Sequence, residues 1–256
     1  MKKTYIIVLA VLILLLILLR FYIKDEKVHI LKEYSKSGKL IKTHEYIIRS
    51  GDTILQGKFV NYNEKGIKIA EGTFLENEPY GICSYYYDNG KLESIFYRKN
   101  SSKNLEGTYY DQNNVIKKYV MCDDLGEPKF IIEFDDKAVK RYTGYSTYPV
   151  KQYKIEDKKQ IEIKTGDVLK VGDHIKYDYL VANIPYTKRS FKIEIEGSDN
   201  SNVKRTIIKD VPTRVTVEEI LTKKGLNRIL AITQYNFNNG ETYVKNDTVS
   251  FDINVK

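Results

Sequence analysis

Aromatic residues at Tyr62, Tyr86, Tyr110 and Phe134 stand 24 residues apart three times over, and Tyr34 precedes them by 28. Each opens a similar unit. Tyr34-Ser-Lys-Ser-Gly38-Lys-Leu40, Tyr62-Asn-Glu-Lys-Gly66-Ile67, Tyr86-Tyr-Asp-Asn-Gly90-Lys-Leu92 and Tyr110-Asp-Gln-Asn-Asn114-Val-Ile116 run from an aromatic through Gly or Asn to an aliphatic. Phe134-Asp-Asp-Lys-Ala138-Val139 is a decayed fifth copy. In such a unit the aromatic ends one strand, Gly or Asn takes the positive φ of a turn, and the aliphatic opens the return strand. The predicted product is one β-hairpin per repeat. A lone hairpin cannot bury its own face, so neighbouring copies must stack into a continuous sheet with Tyr covering Tyr. Tyr34, Gly38, Tyr62, Gly66, Tyr86, Gly90, Tyr110, Asn114 and Phe134 are thus structural repeat positions. Since a one-layer sheet exposes half its side chains, the tyrosines also offer an interface.

Gly81-Ile-Cys-Ser-Tyr-Tyr-Tyr-Asp-Asn-Gly90-Lys-Leu92 resembles the MORN repeat, and most closely its bacterial antitoxin-like variant with the look G-x-x-x-Y-Y-x-x-N-G-K-L. Gly57-Lys-Phe-Val-Asn-Tyr62-Asn-Glu-Lys-Gly66 matches well, while the copies at Tyr34 and Tyr110 match in part. The resemblance covers residues 30 to 145. It implies an antiparallel β-meander used for protein or membrane contacts and not for catalysis, in a variant whose members are often labelled antitoxin-like.

Beyond residue 147 the repeat fails, and residues 148–159 are charged and turn-rich, which predicts a connector. Strict alternation follows in Ile175, Tyr177, Tyr179, Val181, then Phe191, Ile193, Ile195, then Val215 and Val217, and finally Val249, Phe251, Ile253, Val255. Period two means half-buried strands. With residues 160–164, 203–209 and 228–235 the prediction is seven strands over 160–256, a pattern that resembles a bacterial immunoglobulin-like or fibronectin-III-like β-sandwich. The fold class expected is all-β: an N-terminal transmembrane helix in 1–27, a meander of MORN-like hairpins in 28–147, the connector, and the sandwich. Each domain is expected to carry its own core.

The run Tyr5 to Leu19, continued past Arg20 by Phe21, Tyr22 and Ile23, makes a helix of roughly 28 Å, enough to span a bilayer. Residues 20–30 hold no small-residue pattern for cleavage and no Cys for a lipid, which favours an uncleaved signal anchor over a cleaved peptide. Lys2, Lys3 and the amino group place the N-terminus in the cytoplasm. The expected address is therefore the inner membrane, single-pass, with the later domains periplasmic.

Several classes of chain, partner and chemistry find little support. The net charge of +8 is spread with both signs mixed, leaving no basic stripe for a nucleic acid. Hydrophobic content of 42% beside 30% charged residues excludes a mostly disordered chain and a polytopic membrane protein. His29, His44 and His174 are not at metal-ligand spacing from one another or from a Cys. Asp123-Asp124 and Asp135-Asp136 suit turns and lack a calcium-loop frame, and no nucleophile-elbow, zinc-protease or phosphate-loop motif occurs. Cys83 and Cys122 fall on strands three apart, roughly 14 Å, beyond disulfide reach. No catalytic residue, metal or cofactor is expected. The functional expectation is a non-catalytic, membrane-anchored envelope protein that acts as an interaction or scaffold module with an envelope protein partner. An immunity or antitoxin-like inhibitor of a secreted toxin is the alternative.

Overall fold

The computed structural model describes residues 27–164, 166–209, 211–238 and 244–256. These residues are all-β apart from a short 3-10 turn at Asn200–Asn202. The membrane-spanning helix predicted in 1–27 falls, but for its last residue, outside the described residues. Among the described ones no helix is long and apolar enough to cross a membrane.

Ten strands in chain order form one antiparallel sheet: β1 (His29–Tyr34), β2 (Leu40–Arg49), β3 (Asp52–Tyr62), β4 (Lys68–Leu75), β5 (Glu78–Tyr86), β6 (Leu92–Arg98), β7 (Asn104–Tyr110), β8 (Ile116–Cys122), β9 (Pro128–Asp135) and β10 (Ala138–Gly144). Connections this short leave each strand only its chain neighbours to pair with, and a meander results. The repeat turns lie at one end of the sheet. Tighter turns such as Glu76-Asn77, both at positive φ, close the other end, so 24 residues make two strands and two turns.

The rest of the chain makes two further sheets. One has the order β12 (Lys159–Glu162), β11 (Thr147–Glu156), β14 (His174–Val181), β17 (Arg214–Ile220), β16 (Arg205–Ile208); the other runs β13 (Val168–Leu169), β19 (Val244–Val255), β18 (Gly225–Phe237), β15 (Thr187–Ile195). Tyr177 meets Phe251 at 5.0 Å between ring centroids and Tyr179 meets Phe191 at 5.7 Å, so the sheets pack face to face as a β-sandwich. Along β18 every second residue from Asn227 to Phe237 is buried, as a half-buried strand requires.

Two domain expectations need correction. The predicted connector, 148–159, is mostly strand: β11 pairs with β14 and β12. Pro149 sits beside a register shift between Pro149 and Lys151, where a strand tolerates the missing N–H. Nor do the domains keep separate cores. One buried cluster joins Tyr119, Met121, Phe130, Ile132 and Phe134 of β8 and β9 to Tyr177, Tyr179, Ile193, Ile229 and Tyr235 of the sandwich. The passage between them is a tight corner at Gly144, whose φ is +82° and where a Cβ would lie 2.1 Å from the Lys129 carbonyl oxygen. Next to it the Tyr145 N–H donates to that same oxygen at 2.9 Å.

Candidate interaction surface

The repeat turns share one construction. The Gly38 N–H donates to the Ser35 carbonyl, Gly66 to Asn63, Gly90 to Tyr87 and Asn114 to Asp111, all between 2.8 and 3.0 Å. The closing residue is left-handed each time, at +79°, +77°, +80° and +62°. A register shift falls at each preceding aromatic, Tyr34, Tyr62, Tyr86 and Tyr110, which is the bulge that such a turn imposes. Asn63 and Asp111 brace their turns by accepting two backbone N–H groups each on Oδ1. Phe134 differs, because its turn is the two-residue Asp136-Lys137 pair, at +44° and +71°.

Successive turns are laced together. Lys39 Nζ donates to the Glu64 carbonyl and Lys91 Nζ to the Gln112 carbonyl, both at 2.7 Å, and the Tyr87 hydroxyl donates to the Tyr110 carbonyl at 2.8 Å. Tyr86 donates to Glu71, which also holds Lys68 Nζ at 2.8 Å while that ammonium lies 4.6 Å from the Tyr86 ring centre. The ion pair pulls the Glu71 carboxyl below and the Lys68 ammonium above its ordinary range, and burial raises the Tyr86 hydroxyl. All three therefore keep their neutral-pH charge states.

Tyr does not cover Tyr from copy to copy. The ring contacts fall instead on Phe59 with Phe74 (4.8 Å), Tyr85 with Phe96 (5.7 Å) and Phe96 with Tyr109 (5.4 Å). Glycines make room for these rings: Gly72 lies opposite Phe59 and Gly107 opposite Phe96. A Cβ on Gly72 would meet Cys83 Sγ at 2.6 Å, and one on Gly107 would meet the Phe96 ring at 2.8 Å. Neither position was singled out in the sequence, though Gly72-Thr-Phe74 and Gly107-Thr-Tyr109 repeat a Gly-x-aromatic triplet.

The opposite face of the sheet carries the feature with functional weight. Ile82, Tyr97, Glu106, Met121 and Phe130 are consecutive cross-strand partners from β5 to β9 and form one row. Met121 and Phe130 lie at 0% exposure beneath the sandwich, while Ile82 is 64% exposed. Tyr80, 40% exposed, edges onto Tyr97 at 6.5 Å. The repeat aromatics follow the same gradient, from Tyr34 at 58% exposure through half-buried Tyr62, Tyr86 and Tyr110 to Phe134 at 3%. The row thus starts apolar under the sandwich, passes Glu106 and half-buried Tyr97, and ends exposed at Ile82.

Other groups are dispersed or locally engaged. His29 stacks on Tyr46, His44 lies edge-on to Phe74, and His174 Nε2 is 3.3 Å from Glu218. Among the described residues no three His, Cys, Asp or Glu side chains gather where a metal ion would sit. Cys83 and Cys122 are buried free thiols raised by burial, Cys122 to about 11. In the sandwich an open cleft of about 450 Å³ runs beside Gln152, Phe251 and Asn254. Its carboxylates are taken: Asp167 accepts the Lys164 N–H and Asp252 holds Arg228.

No protein-family model matches the chain, and no curated protein matches it. Among solved structures it is similar to a mutant of S. aureus TarM, solved with Fondaparinux, alpha-GlcNAc-glycerol and UDP. That similarity has 12% identity and a TM-score of 0.23, and covers 45% of this chain and 19% of the other. The chain thus spans about a fifth of that protein's length, and a TM-score so low carries no argument about fold or activity.

Proposed function

We propose that this is a membrane-anchored cell-envelope protein of MORN-like repeats and an immunoglobulin-like sandwich, acting without catalysis by presenting its sheet to a protein partner outside the membrane. The supporting observation is the row from Phe130 to Ile82, apolar apart from Glu106 at its middle, which continues past the edge of its covering layer to exposed Ile82 with Tyr80 beside it. Large apolar side chains left exposed side by side, as Ile82 and Tyr80 are, mark contact sites. The run Tyr5–Leu19 supplies the anchor. An Ile82→Asp, Tyr80→Ser chain should stay membrane-bound and melt like wild type while reproducing the phenotype of gene deletion. A variant with His29→Gln, His44→Gln and His174→Gln should keep the function. The reading fails if the first variant functions, if the histidine variant is folded yet inactive, or if the full-length chain is released as soluble protein. Loss of protection against a toxin encoded nearby would identify the partner as that toxin.

A further inference from the structure

β1 closes one side of the ten-stranded sheet, and among the described residues it pairs with β2 alone. One side of its backbone therefore presents N–H and C=O groups to a further strand. The side chains along this edge are large, apolar and exposed: Val28, Ile30, Leu31 and Tyr34. Two other edge strands turn cations outward instead, Lys188 and Lys192 on β15 and Lys140 and Arg141 on β10, charges of the kind that keep an edge from pairing. Along β1, Ile30 and Tyr34 lie on one face and Leu31 on the other. A cover laid on either face leaves the other bare, whereas a strand laid along the edge reaches both.

We propose that the occupant is a second copy of this chain, whose β1 pairs with this one antiparallel about a two-fold axis at Leu31 and joins the two sheets into one. In such a pair the residue on the axis faces its own copy, and residues equally distant from it face one another. Centred on Leu31, the pairing sets Leu31 against Leu31 on one face and Val28 against Tyr34 on the other, with Ile30 against the Lys32 stem. It also sets His29 against Glu33, which already holds Lys42 at 3.0 Å, so no like charges meet. Neighbouring registers fit less well. Centred on Lys32, two ammonium groups would face each other; centred on Ile30, Leu31 would face His29 and Val28 would face Lys32, leaving one apolar pair.

Disulfide trapping on the full chain in detergent, with copper phenanthroline as oxidant, tests the axis directly, since the native thiols Cys83 and Cys122 are buried. Leu31→Cys should give a cross-linked dimer, because residues directly opposite lie within disulfide reach. Lys32→Cys alone should give little, its two copies being about 8 Å apart between Cα atoms, but Lys32→Cys co-expressed with Ile30→Cys should link one chain to the other. Light scattering should find wild type dimeric. Leu31→Lys places two ammonium groups on the axis and should weaken the dimer by about tenfold or more while the chain melts like wild type. The cross-links decide the matter should Leu31→Lys fail to fold. The proposal is overturned if Leu31→Cys gives no dimer, if Lys32→Cys alone cross-links as well as Leu31→Cys, or if wild type is monomeric. A folded Leu31→Lys chain that stays dimeric would place the contact on another surface and overturn it equally.

Discussion

β1–β6 and β7–β10 belong to one sheet and are built from one turn rule, yet they are held together differently. In the first half the packing is within the layer: Phe59, Ala70 and Cys83 form a small cluster over Gly72, and lysines lace one turn to the next. In the second half a covering layer supplies most of the apolar burial, and Tyr119, Met121, Phe130 and Ile132 are at 1% exposure or less. The comparison teaches that the repeat specifies strands and turns but not burial. On the row's face the sandwich assigns the deepest burial, and the surface it leaves open there is the one available to another molecule.

Removing the cover breaks the comparison most severely. Deleting 145–256 exposes Tyr119, Met121, Phe130, Ile132 and Phe134 together, each a large side chain whose burial is worth about 1.5–3 kcal/mol. Circular dichroism and proteolysis should find β8–β10 unfolded or the chain aggregated. A monomeric fragment with all ten strands protected would show that the sheet does not need its partner.

Single truncations sharpen the contrast along the row. Phe130→Ala should cost about 3–5 kcal/mol in denaturant unfolding, as for other buried Phe, whereas Ile82→Ala should stay within about 0.5 kcal/mol. Equal costs at the two ends would remove the distinction between covered and open halves.

A smaller effect probes the within-layer packing. Gly107→Ala at an ordinary φ puts a methyl group against the Phe96 ring and should cost about 1–3 kcal/mol by overpacking. Gly66→Ala meets no atom within 4 Å but carries the strain of a +77° φ, about 1 kcal/mol. If Gly107→Ala melts like wild type, the glycine is not a seat for the ring.

The turns were legible because positive φ is a local demand with a short residue menu, so Gly38, Gly66, Gly90 and Asn114 mark themselves. Strands with clean alternation, such as Ile175–Val181, were legible for a similar reason. β11 was hidden by Pro149 and by lysines that pair across strands, Lys151 with Glu162 and Lys154 with Asp173. Gly72 and Gly107 were hidden because their requirement comes from a ring on the neighbouring strand. The shared core was invisible to periodicity, which says that Tyr119 and Met121 share a face but not what covers it. Glu106, a lone carboxylate in a strand, carried no signal at all.

The account turns on the open end of the row being a contact surface while the covered end is not. A photo-crosslinking side chain placed in living cells at Ile82, and separately at Met121, reads this directly. The account predicts a discrete adduct with another protein from position 82 and none from position 121. No adduct from position 82, or the same adduct from both, would contradict it.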